Sequence, residues 1–112
     1  EKDAFDNVTF FFSLMYMDKE TQTQAIAEAS RVLKGGGRLV IWDAVIRSAY
    51  PEPFLAELSI DANGEPVNTT YGVVKSDAVQ DCDCFIRLCQ TQGLRLETAE
   101  RDEPVFKLVF VK

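Results

Sequence analysis

Histidine is absent from the sequence. That absence removes the commonest general base at neutral pH and the commonest ligand of zinc. Basic residues are the minority, 12 Lys and Arg against 18 Asp and Glu, for a net charge of −6. Phosphate neutralisation needs clustered cations, and none cluster here, so nucleic acid is not expected as a partner. Long hydrophobic runs are missing too. The apolar stretch 8–17 is too short to span a bilayer, and it follows Glu1, Asp3 and Asp6, the wrong charge for the leading region of a secretory signal.

Cysteine is scarce and odd in number. All three fall at Cys82, Cys84 and Cys89, inside one expected helix, which is poor material for a disulfide framework and points to a reducing, cytoplasmic setting. On a helix, residues two apart point in different directions, so Cys82 and Cys84 cannot share one metal ion. No metal site is expected, and the cysteines read as small hydrophobes.

What is present is a globular composition, 46% hydrophobic and 27% charged over 112 residues, enough for one domain with one core. Residues 7–12 are apolar at consecutive positions and read as a strand buried on both faces. Asp18 or Thr21 offers an N-cap for the helix that follows, whose apolar stripe is Ala25, Ile26, Ala29, Val32 and Leu33. Gly35, Gly36 and Gly37 are expected to end it as a positive-φ cap. A phosphate cradle is the other reading of three glycines, but such loops run from strand into helix, and this one runs from helix into strand.

Residues 38–45 form the next double-sided strand, with Leu39 and Ile41 on one face and Val40 and Trp42 on the other. A hairpin insertion is expected over about 54–74, with arms at 55–60 and 66–73, because Asn63-Gly64 tolerates the positive φ of a type I′ turn. Asp77-x-x-Gln80 has the spacing to cap a second helix, with a buried stripe of Val79, Cys82, Phe85, Ile86 and Cys89 and an end at Gly93. Strands at 94–99 and 105–111 complete an α/β pattern within a single domain, 1–112. Tyr50, Tyr71 and Phe54 flank the hairpin; they either line an apolar pocket or pack the hairpin onto the domain.

Phe5-Asp6-Asn7-Val8 together with Arg31-Val32-Leu33-Lys34-Gly35-Gly36-Gly37-Arg38-Leu39 resembles the "FD-x-V … RVLKPGG-x-L" wording of the second half of a class I S-adenosylmethionine-dependent methyltransferase. Gly35 stands where proline is usual. The resemblance implies a partial Rossmann-like sheet, the family's fourth to seventh strands with the last antiparallel, helices mainly on one face, and an inserted β-hairpin. It also implies S-adenosylmethionine as cofactor. Phe12, Ser13 and Leu14 would lie along its methionine portion, with Tyr16, Asp43 and Arg47 towards a small-molecule substrate and Tyr71 on the same side. Beside these stand plainer readings, in which Phe12 and Leu14 are core and Asp43 holds a loop.

The family's glycine-rich cofactor loop is not among these residues, nor is the acidic residue that would hold the ribose. Catalysis and tight cofactor binding are therefore not expected of this chain alone, and no catalytic residue is identified. The alternative is a non-catalytic homodimeric module that binds a ligand or another protein. Two successive right-handed crossovers place both helices on one face, yet the strands are apolar on both. A second copy, covering the bare face or the edge of the first strand, is the economical partner.

Overall fold

The computed structural model describes residues 3–47, 51–73 and 79–112, without the side chains at positions 56, 58 and 71. In chain order the elements are β1 (Phe5–Phe11), a single 3₁₀ turn (Leu14–Tyr16), α1 (Lys19–Val32), β2 (Leu33–Ala44), β3 (Phe54–Ala62), β4 (Glu65–Val73), α2 (Cys82–Thr91), β5 (Arg95–Asp102) and β6 (Val105–Val111). Four strands make one sheet in the order β1-β2-β6-β5. β1 and β2 run parallel, as a helical crossover requires, and β6 lies antiparallel to both of its neighbours. This is the expected α/β arrangement, last strand included.

α1 starts where the Asp18 carboxylate accepts the Thr21 N–H at 2.7 Å, one of the orphan donors of a first turn. Glu20 in that first turn and Arg31 in the last complement the helix dipole. The helix ends at Val32, ahead of the glycines, and this corrects the expected cap. Leu33 is already extended (φ −72, ψ 139) and fully buried, pairing with Phe5. The next registered pair is Asn7 with Arg38, so Lys34 to Gly37 bulge out opposite Asp6 alone. Gly36 takes φ +83, and a Cβ on Gly37 would sit 2.9 Å from the carbonyl oxygens of Asp6 and Lys34. The bulge is tied to the chain end by Gly36 N–H to Lys112 O at 2.9 Å and Lys112 N–H to Gly37 O at 3.0 Å.

α2 is capped by Asp81, whose carboxylate accepts the Cys84 N–H at 2.8 Å. Asp77 lies outside the described residues; Val79 precedes the helix and is exposed, which corrects its expected place on the buried stripe. Cys82, Phe85 and Cys89 do form the buried stripe, with Ile86 at its margin. Gly93 ends the element with φ +81.

Both helices pack on one face of the sheet. Ile26 and Ala29 of α1 and Phe85 of α2 meet Leu39, Ile41, Leu108 and Phe110 in the main core, and the Phe85 and Phe106 rings lie 5.9 Å apart. Among the described residues no helix covers the other face, and the base of β3 and β4 meets one corner of it through Phe54 and Val73. Along β6, Phe106, Leu108 and Phe110 are buried while the alternate residues Val105, Lys107, Val109 and Val111 are only half-buried. β3 and β4 pair residue for residue as a separate ribbon. Its turn has φ +56 at Asn63 and +83 at Gly64, the positive pair of a type I′ turn, and Asp61 Oδ1 accepts the Gly64 N–H at 2.8 Å.

Candidate functional site

The carboxyl ends of parallel strands are where open α/β sheets bind ligands, and here β1 and β2 end side by side. β1 ends abruptly because Phe12 takes φ +53, a left-handed conformation that costs an L-residue roughly 1–2 kcal/mol. Packing offsets the strain. Phe12 is 3% exposed, its ring meets Phe11 edge to face at 4.9 Å, and its N–H donates to Trp42 O at 2.8 Å.

The chain then turns through Ser13 into the 3₁₀ turn, and a buried polar network fixes it there. Asp43 is fully buried. Its Oδ2 accepts the Met15 N–H at 3.2 Å, and its Oδ1 accepts the Ala44 N–H at 2.8 Å and Gln80 Nε2 at 3.0 Å. Gln80 Nε2 also donates to Ala44 O at 2.9 Å. Gln22 Nε2 donates to Leu14 O at 2.8 Å and to Gln80 Oε1 at 3.3 Å. Burial pushes the Asp43 carboxyl up to about 6, against the opposing pull of the donors from Ala44, Gln80 and Met15.

Asp43 therefore faces the helix side, on the face of Leu39 and Ile41, and acts on the loop of Leu14 and Met15 from beneath. Phe12 and Leu14 are inward-packed, which leaves Ser13 half-buried and Tyr16, 52% exposed, at the surface. The Tyr16 hydroxyl accepts the Gly72 N–H at 3.3 Å, tying the loop to the hairpin. Phe54 and Val73 at the hairpin base pack with Phe12, Met15, Ala44, Ile46 and Trp42, so Phe54 secures the ribbon to the domain. The Tyr71 side chain and Tyr50 lie outside the described residues.

Arg47 stands apart from this corner. It lines a cleft of about 230 Å³ beside the start of α2, together with Asp81, Asp83, Arg101 and Glu103. Both guanidinium groups are paired there, Arg47 Nη2 with Glu103 Oε1 at 2.7 Å and Arg101 Nη2 with Asp83 Oδ1 at 3.2 Å. None of Phe12, Ser13, Leu14 or Tyr16 lines that cleft. Phe12 and Leu14 are turned into the core and only Ser13 is half-buried, so the three do not by themselves fit S-adenosylmethionine. Cys89 is buried and its thiol is pushed up to about 12, so it stays protonated and packs as a hydrophobe.

Gln22 was not marked by composition or motif, and Gln80 was marked only as part of the Asp77-x-x-Gln80 capping spacing, not as a buried donor to Asp43. Gln22 precedes Ile26 by four residues and Ala29 by seven, so helical spacing places it on the buried stripe. Gln80 carries no such signal. Its backbone is fixed by a two-way bridge to Ile46, both bonds 2.9 Å, a tertiary contact with no local trace.

A family model described as a methyltransferase domain matches residues 1–41. No curated protein matches the sequence. Among solved structures, the PH0226 protein from Pyrococcus horikoshii OT3 is 14% identical with a TM-score of 0.67, the match covering 99% of this chain and 56% of that one. An S-adenosylmethionine dependent methyltransferase from Mesorhizobium loti is 14% identical at 0.67, covering 100% and 64%. The 1,6-didemethyltoxoflavin-N1-methyltransferase of Burkholderia thailandensis, solved with 1,6-didemethyltoxoflavin and S-adenosylhomocysteine bound, is 10% identical at 0.63, covering 100% and 45%. The chain spans a little over half the length of the first of these relatives. In fold throughout it resembles part of these S-adenosylmethionine dependent methyltransferases, and in sequence over its first 41 residues it matches a methyltransferase domain.

Proposed function

We propose that this chain is the acceptor-side half of a small-molecule methyltransferase site, unable to bind cofactor tightly or to catalyse transfer alone. The carrying observation is the loop after β1, held at the carboxyl end of a parallel pair by Asp43, Gln22 and Gln80. The rigid turn offers Ser13 and Tyr16 to a ligand, while the hairpin, tethered through Gly72, stands over the same corner. On this reading Ser13 with the backbone of Phe12 and Leu14 meets the cofactor's amino-acid end, and Tyr16 faces the methyl acceptor. Three free cysteines suit a reducing, cytoplasmic setting.

Calorimetric titration of the purified chain with S-adenosylmethionine tests this directly. One wall of a site contributes only part of the contacts, so the expected dissociation constant is weaker than about 100 μM. An affinity near 1 μM, about −8 kcal/mol, would overturn the half-site reading and make this chain sufficient by itself.

A further inference from the structure

We propose that Asp43 is a proton-operated latch: ionised, it pins the turn after β1 through the Met15 N–H, and on taking up a proton it loosens that turn and the hairpin tethered to it. This goes beyond the methyltransferase reading and does not depend on it.

The direction of each bond in the network is fixed. The Leu14 carbonyl can only accept, so the Gln22 amide nitrogen must face it, at 2.8 Å, and the same nitrogen donates to Gln80 Oε1 at 3.3 Å. With its oxygen taken, Gln80 presents its nitrogen to two acceptors, Ala44 O at 2.9 Å and Asp43 Oδ1 at 3.0 Å. The Ala44 N–H reaches the same Oδ1 at 2.8 Å. Two donors fill that oxygen. A proton can therefore enter only at Oδ2, which accepts the Met15 N–H at 3.2 Å, the longest of the three contacts. Hydrogen bonds to an ionised oxygen are roughly twice as strong as those to a neutral one, so proton uptake is felt first at Met15.

The residues around the carboxyl are uncharged. Leu14 and Met15 meet it from the 3₁₀ turn and Gln80 from ahead of α2, Gln22 of α1 stands behind Gln80, and Phe106 of β6 lies opposite in register. Charged side chains close by in sequence are engaged elsewhere. Lys19 Nζ donates to Val79 O at 2.7 Å, Asp81 caps α2, Arg47 pairs with Glu103, and Lys107 lies over the Trp42 ring. Burial raises the carboxyl to about 6 and the hydrogen bonds oppose it, which sets the latch just below neutral pH.

Release reaches the hairpin in one residue. Tyr16 follows Met15, and its hydroxyl accepts the Gly72 N–H at 3.3 Å. Gln22 still holds Leu14 O, and the Phe12 N–H still reaches Trp42 O at 2.8 Å. The turn therefore loosens from Met15 onward and not at its root.

A pH titration of the 112-residue chain by amide nuclear magnetic resonance tests the latch. The Met15 and Gly72 amide shifts should move together with a midpoint near pH 6, while the Phe12 amide stays put. Hydrogen exchange at Met15, corrected for its intrinsic rate, should be about tenfold less protected at about pH 5 than at about pH 7.5. In Asp43→Asn, which cannot ionise, neither amide should titrate. In Tyr16→Phe, Met15 should titrate as in the wild type and Gly72 should no longer follow. A wild-type Met15 amide indifferent to pH overturns the proposal, as does a Met15 titration that persists in Asp43→Asn. A Gly72 amide that ignores pH in the wild type, or still follows it in Tyr16→Phe, overturns the link to the hairpin.

Discussion

Replacing Asp43 by Asn isolates the one buried ionisable group in the loop network and makes its cost measurable. Burial raises the carboxyl from 3.8 to about 6 in the folded chain, and each unit between folded and unfolded values corresponds to about 1.4 kcal/mol. Between roughly pH 4 and pH 6 the native state keeps a proton that the unfolded chain has released, so stability falls as pH rises through this window. The contribution is fully present below about pH 4 and lost above about pH 6, a swing of about 3 kcal/mol, or on the order of 10 °C in melting temperature for a chain of this size.

Asn cannot ionise, so its variant lacks that swing. Its carbonyl can still accept from Ala44 and Gln80, but its amide meets the Met15 N–H donor to donor, a loss of about 1 kcal/mol. The wild type should therefore be the more stable of the two at about pH 4, and the variant should be ahead by about 2 kcal/mol at pH 7. Urea denaturation of both proteins at a series of pH values measures the difference, in which the shared surface carboxylates cancel. A difference that stays flat, or moves in favour of the wild type as pH rises, would show that the three donors outweigh desolvation and refute the reasoning.

Replacing Asn63-Gly64 by Ala-Ala puts Cβ atoms at φ +56 and +83 and should cost about 1–2 kcal/mol at each position. The loss should be confined to β3 and β4, and hydrogen exchange that accelerates equally in β2 and β6 would contradict it. Phe85→Ala removes a ring buried against Phe106 and should lower stability by about 3–5 kcal/mol; a urea midpoint that barely moves would mean that the α2 stripe is not core.

The features legible in the sequence are those specified locally or by a strong period. The type I′ turn is written in two residues. The parallel β1–β2 pair follows from two apolar strands about a helix, and helices on one face follow from two crossovers in one direction; the expected burial of the first strand on both faces does not hold, since Thr9 and Phe11 are exposed and Val8 and Phe10 only half-buried in this chain. Leu33 was ambiguous because it satisfies two patterns, sitting four residues after Ala29 for the helix stripe and two before Gly35 at the start of a strand. Burial and pairing with Phe5 decided for the strand.

The capping spacing of Asp77-x-x-Gln80 favoured Asp77, yet Asp81 is the residue that caps α2. The bridge from Gln80 to Ile46 holds the preceding residue extended, so α2 begins after it. The burial of Asp43 was legible in hindsight: alternation from Leu39 through Ile41 puts it on the helix face. What the sequence could not supply is Gln80, which joins the network from 37 residues beyond Asp43.

In an open α/β sheet the ligand crevice forms where strands on either side of a switch point send their loops apart. In the four-stranded sheet described here β1 is outermost, with β2 on one side only. Loops from that side alone can build one wall, and this wall is already formed. Phe12 holds its left-handed turn through packing and the bond to Trp42, and the Asp43 network holds Leu14 and Met15. On the half-site reading proposed above, the weak cofactor binding expected of this chain would come from too few contacts, and groups brought to the free side of β1 would add theirs to a loop already held by these bonds.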